Sequence, residues 1–149
     1  MRLKAVLCCL LLLLAGGGAA RAQQAPQAFL LGAWTGGLFP APTVVSARDC
    51  LAQPTVIFTR DVVMRASATD VFYVQRLVET ARGTGNGVEF RFSPAAGPAT
   101  PGLTGFTQSD NGFGCGNPDV LHVQRISQNE IRFPGCKDFS FPLVRCPGG

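Results

Sequence analysis

One histidine, His122, has to serve the whole 149-residue chain. Any Ser–His–Asp or Cys–His mechanism must use that single ring. Within "VLHVQRI" it alternates with Leu121 and Val123, which sets it on the opposite face, as an exposed strand residue. There is no G-x-S-x-G elbow, and no short motif selects a carboxylate pair for glycoside cleavage from the nine acidic residues. C-x-x-C spacing is missing too, and the cysteine intervals are long and uneven, so a zinc ligand set is not expected. "SDNG" (109–112) offers oxygen ligands without the spaced acids and distal Glu of a calcium loop. "GTGNG" (83–87) runs into "VEFRF", a strand pattern, whereas a phosphate-binding loop must open a helix; it reads as a hairpin turn. The expectation is a non-enzyme with no metal and no cofactor.

Apolar length is confined to the start. Arg2 and Lys4 precede "AVLCCLLLLLAGGGAA", and Ala20-Arg21-Ala22 places small residues ahead of Gln23. That is the pattern of a secretory signal peptide over residues 1–22. The alternative, an uncleaved anchor, has a run short of the ~20 residues a span requires. Cys8 and Cys9 lie early in the run and no cysteine follows the small residues, so the lipoprotein pattern is absent. No stable membrane anchor is expected after cleavage.

Charge is scarce as well. Removing 22 of the 149 residues leaves 127, the size of one domain, and takes Arg2, Lys4 and Arg21 with it. Ten basic residues then face nine acidic ones, so the formal charge falls from +4 to +1. No basic cluster suited to phosphates remains, and nucleic acid is not an expected partner. Nine of the ten basic residues are arginine, amid much Ala, Gly and Pro, which suggests a GC-rich bacterial gene. The expected location is the periplasm or the cell exterior. Oligomeric state is not legible.

What is abundant is strand signal. "QQAPQA" (23–28) reads as a flexible lead-in, and residues 29–149 as one β domain. "PTVIFTRDVVMRAS" is rich in Val, Ile and Phe, and "GVEFRFSP" alternates Val88, Phe90 and Phe92 with Glu89 and Arg91. "DVLHVQRISQNEIRFPGC" reads as two strands joined at Gln128-Asn129. "FSFPLVRC" reads as a last strand, with Pro142 marking an edge or bulge. "DVFYVQRLVETARG" (70–83) is ambiguous: Val71, Val74, Leu77 and Val78 fit a helical face capped by Asp70, but its β-branched and aromatic density favours a strand. "RGTGNG", "SPAAGPATPG" and "SDNGFGCGNPD" are turn clusters, the second the expected mobile loop. About eight short strands predict an all-β fold, an up-and-down barrel with a β-sandwich as rival.

Gly32-Ala33-Trp34 resembles the Gly-x-Trp signature on the first strand of lipocalins and related calycin barrels. The resemblance implies that Trp34 closes one barrel end and that an arginine near the chain's end stacks on it. Arg145 in "PLVRC" is the matching residue. The other lipocalin motifs and the helix after the barrel have no counterpart here. Bacterial exported protease inhibitors use a similar small barrel and block their target with an extended N-terminal segment, to which "QQAPQAF" corresponds. The leading functional expectation is a binding module for a small apolar or amphipathic ligand, with Phe58, Phe90 and Phe92 as inward residues that either line a cavity or fill a core. The alternatives are an inhibitor of an exported protease and a structural envelope protein with no ligand.

Four cysteines outlast the signal: Cys50, Cys115, Cys136 and Cys146. An even count in a small exported domain predicts two disulfides, with three pairings to choose from. Folding 119–126 onto 131–136 brings Cys115 toward Cys136 and leaves Cys50 with Cys146. Closure of first strand on last argues instead for Cys50 with Cys136. Cys136 with Cys146 requires the two ends of the last strand to meet.

Overall fold

Period-two alternation dominates this chain, and the computed structural model, which describes residues 24–66, 74–94 and 113–148, is built on it. Eight antiparallel strands run β1 (Gly32–Gly36), β2 (Thr55–Phe58), β3 (Val62–Ala66), β4 (Val74–Thr84), β5 (Gly87–Phe92), β6 (Val120–Arg125), β7 (Glu130–Arg132) and β8 (Leu143–Arg145). Each pairs with the next, and β8 pairs with β1, closing an up-and-down barrel. The sandwich alternative is excluded. Closure leaves the barrel without a free sheet edge, the usual point of unwanted strand pairing.

Parity decides the core. Trp34, Val56, Phe58, Val63, Val88, Phe90, Phe92, Leu121, Val123, Ile131 and Leu143 alternate inward and are all buried. In 70–83 the strand reading holds from Val74 onward, while residues 70–73 lie outside the described part. The "PTVIFTRDVVMRAS" stretch divides into β2 and β3 at Thr59, whose hydroxyl bridges the Val62 backbone. Pro142 sits at an irregularity of the bulge type, because Gly37 alone faces both Phe141 and Pro142 and accepts from Phe141 N–H at 2.8 Å. It stands just ahead of β8, where it needs no N–H, and its carbonyl accepts from Gly37 N–H at 3.2 Å. Residues 1–22, expected as a signal peptide, most of "SPAAGPATPG" and "SDNG" fall outside the described residues.

Three elements among the described residues depart from the strand pattern, one of them a 3₁₀ turn (Lys137–Phe139) between β7 and β8 that buries Phe139. Ala28, expected as the end of the lead-in, opens a 3₁₀ turn (Ala28–Leu30), its N–H bonded to Ala25 O at 2.9 Å. Helix α1 (Ala47–Ala52) begins at a capping box in which the Ser46 side chain accepts from Asp49 N–H and Asp49 accepts from Ser46 N–H. α1 buries none of its own residues and is tied to the barrel by Cys50, bonded to Cys146. The second disulfide joins Cys115 to Cys136, which also form a β-bridge. The pairing derived from the β6–β7 hairpin is therefore the observed one. The Cys50–Cys136 and Cys136–Cys146 alternatives fail because α1 lies back along β1, next to the end of β8.

Candidate functional site

One barrel end is sealed by Trp34 and Arg145. Gly32 starts β1 at φ +113°, a conformation that disfavours any side chain, and it turns the 3₁₀ segment back over the opening. Trp34 is fully buried and its Nε1–H donates to Leu30 O at 2.7 Å. The β1–β8 register places Arg145 directly opposite Trp34. Its guanidinium stacks 4.2 Å from the indole and donates to the carbonyls of Phe29 and Leu31. Burial and the neighbouring Arg125 both press the Arg145 guanidinium below its ordinary pKa. Arg125 in turn stacks on Phe29 at 4.9 Å. Gly32, Trp34 and Arg145 thus form a structural plug.

Phe58, Phe90 and Phe92 all point inward, and each meets another ring. Phe58 lies 5.7 Å from Phe90, Phe90 6.4 Å from Phe92, and Phe92 6.2 Å from Phe113. Phe113 and Phe133 meet edge-on at 6.1 Å, and Phe133 approaches Phe139 at 5.0 Å. These six rings, all buried, form one continuous stack. Phe58, Phe90 and Phe92 are core residues packed on one another in this structure.

Above the stack two inward arginines occupy the second end. Arg76, buried, rests on Phe92 and donates to Asp119 at 2.6 Å and to the carbonyls of Pro118 and Ser93. Arg65 lies over Phe139 and pairs with Asp138 at 2.8 Å. Neither arginine was picked out from the sequence. The available signal was parity: Arg76 shares its face with Val74 and Val78, and Arg65 with Val63. Gly114, at φ +64°, lets the chain pass Asp138 so closely that a Cβ would lie 2.7 Å from its carboxylate. That tight turn is what brings Cys115 against Cys136.

His122 faces outward on β6, its Nδ1 3.8 Å from a Glu89 carboxylate oxygen. No group of three or more His, Cys, Asp or Glu side chains suited to a metal occurs among the described residues. Open grooves lie on the outside. One, of about 500 Å³, sits between the β4–β5 and β6–β7 turns beside Phe29 and Arg125. Another, of about 510 Å³, follows β7 and the chain leading to β8.

No protein-family model, curated protein or solved structure matches this chain. The geometry itself supports a closed barrel compatible with the calycin type. Its two disulfides fit an oxidising compartment outside the cytoplasm.

Proposed function

We propose that this chain is an exported, non-enzymatic barrel that recognises a partner protein through its outer surface. The observation that carries this reading is the packed interior, where six phenylalanines stack between the Trp34–Arg145 plug and the Arg65 and Arg76 pairs. A small apolar ligand, expected from the barrel type alone, would have to part this stack, and opening a packed core forfeits several kcal/mol of contact, about 3–5 kcal/mol for a single Phe truncation. Surface recognition needs no such opening.

The signal-like start and the disulfides support a periplasmic or secreted location in a bacterium. The Gly32–Trp34–Arg145 plug supports a likeness to lipocalin-like calycin barrels, and within them to exported protease inhibitors. An exported protease is therefore the partner class to present first. Phe29, Leu30 and Leu31 are pinned by Trp34 and Arg145, so an inhibitory N-terminal segment would have to lie ahead of Phe29.

The test presents the oxidised protein to purified exported proteases and, separately, to an apolar fluorescent probe. Stoichiometric association with a protease, and no saturable uptake of the probe, is the expected result. One-to-one probe binding that perturbs the resonances of Phe90 and Phe92 overturns the reading. Deleting residues 23–27 then separates two modes: inhibition lost places the contact on the N-terminal segment, and inhibition retained places it on the barrel wall.

A further inference from the structure

β7 and β8 pair only through Glu130↔Val144 and Ile131↔Leu143. Past Arg132 the chain leaves the ladder and arches over the barrel end before returning as β8. The arch is held by Phe139, buried against Phe113 and Phe133, and by Phe141 N–H bonded to Gly37 O at 2.8 Å. The divergence of the two strands opens the groove of about 510 Å³, whose lining includes Ile126, Arg132, Pro134, Lys137, Phe141 and Pro142.

Chemistry in the groove is one-sided. Ile126 and Phe141, 47% and 41% exposed, both line this one groove, so their apolar surfaces share a concave face. Both charged residues in the lining are cationic, and no acidic side chain lines it. Gln124 accepts from the Arg132 Nε–H, and among the described residues no side chain pairs with its two terminal amino groups, which can meet a carboxylate fork. Lys137 is exposed, and its ammonium forms no ion pair among the described residues.

We propose that this groove docks an extended acidic segment of a partner protein, with an apolar side chain against Ile126 and Phe141 and a flanking carboxylate on Arg132 and Lys137. The proposal rests on the surface-recognition reading above. Charge complementarity selects the occupant: a concave, apolar-floored groove with two cations and no acid favours an anionic chain and disfavours a basic one.

The test is a display selection on the oxidised protein with two libraries of extended peptides, one acidic and one basic, each randomised at apolar positions. Selected peptides are measured by fluorescence polarisation against wild type, Lys137→Glu, Lys137→Arg and Phe141→Ala, with the melting temperature of each variant recorded. The expected result is enrichment from the acidic library alone. Affinity should fall about tenfold in Lys137→Glu and in Phe141→Ala, and hold in Lys137→Arg. Lys137→Glu changes an exposed side chain, so it keeps the test decisive if Phe141→Ala melts early. No enrichment from the acidic library, or equal binding by wild type and Lys137→Glu, overturns the proposal. A protease that binds wild type and Lys137→Glu alike overturns the groove while leaving surface recognition standing; uptake of the apolar probe removes the reading beneath it.

Discussion

Arg145 and Trp34 lie directly opposite each other across the β1–β8 seam, with the guanidinium 4.2 Å from the indole. Between them they satisfy three consecutive carbonyls, those of Phe29, Leu30 and Leu31. The seam that closes the barrel is thus also the clamp on the segment entering it. Arg145→Ala removes the stack and the donor to two carbonyls, the part-buried one of Phe29 and the exposed one of Leu31, a loss of about 2–3 kcal/mol. Melting should fall by about 3–5 °C per kcal/mol, and Trp34 emission should shift to the red as water reaches the ring. Arg145→Lys keeps the charge but lacks the fork, so it should recover only part of the loss.

The ring stack makes a second prediction. Phe90 is fully buried between Phe58 and Phe92, so Phe90→Ala should destabilise the protein by about 3–5 kcal/mol in denaturant unfolding. Phe90→Leu keeps most of the volume and should cost about half as much or less. A wall residue of an empty cavity would tolerate both changes.

The alternation in "GVEFRF" made β5 and its three inward residues legible, because nothing in that segment competes with parity. β4 was harder. Arg76 interrupts its buried face, and the groups that make this tolerable, Asp119 and Phe92, lie far along the chain. Phe113 and Phe139 sit in turn-rich segments with no alternation, so their place in the stack is set by tertiary structure alone. α1 buries no residue and leaves no periodicity; the Ser46-x-x-Asp49 capping signal was its only trace. The β7 groove was invisible because it arises where two strands part, and divergence has no sequence period.

Asp49 gives a pH prediction. The Ser46 hydroxyl, and then the Ser46 backbone N–H, hold its carboxyl below the ordinary range. A folded pKa below the unfolded value of about 3.9 adds stability that is complete above that value and fades as pH falls through the folded one. Wild-type stability should therefore drop more steeply than that of Asp49→Asn below about pH 4, with parallel curves above it. Equal slopes in acid would remove the capping box from the stability of α1.

The two disulfides close loops of very different length, 96 residues for Cys50–Cys146 and 21 for Cys115–Cys136. If restriction of the unfolded chain dominates, they contribute about 4.7 and about 3.3 kcal/mol respectively. The Cys50→Ser/Cys146→Ser protein should then melt below the Cys115→Ser/Cys136→Ser protein, and both below wild type. Folded-state packing opposes this order. Cys136 belongs to the core cluster and Cys115 packs against it, whereas Cys146, though buried, lies outside that cluster and Cys50 sits on a helix that buries nothing, so losing the shorter bridge also disturbs the core. The two melting temperatures decide which effect wins, and a lower value for the Cys115/Cys136 variant assigns the larger share to packing. Non-reducing peptide mapping should recover Cys50 with Cys146 and Cys115 with Cys136, and four free thiols in protein from an oxidising compartment would refute both bonds.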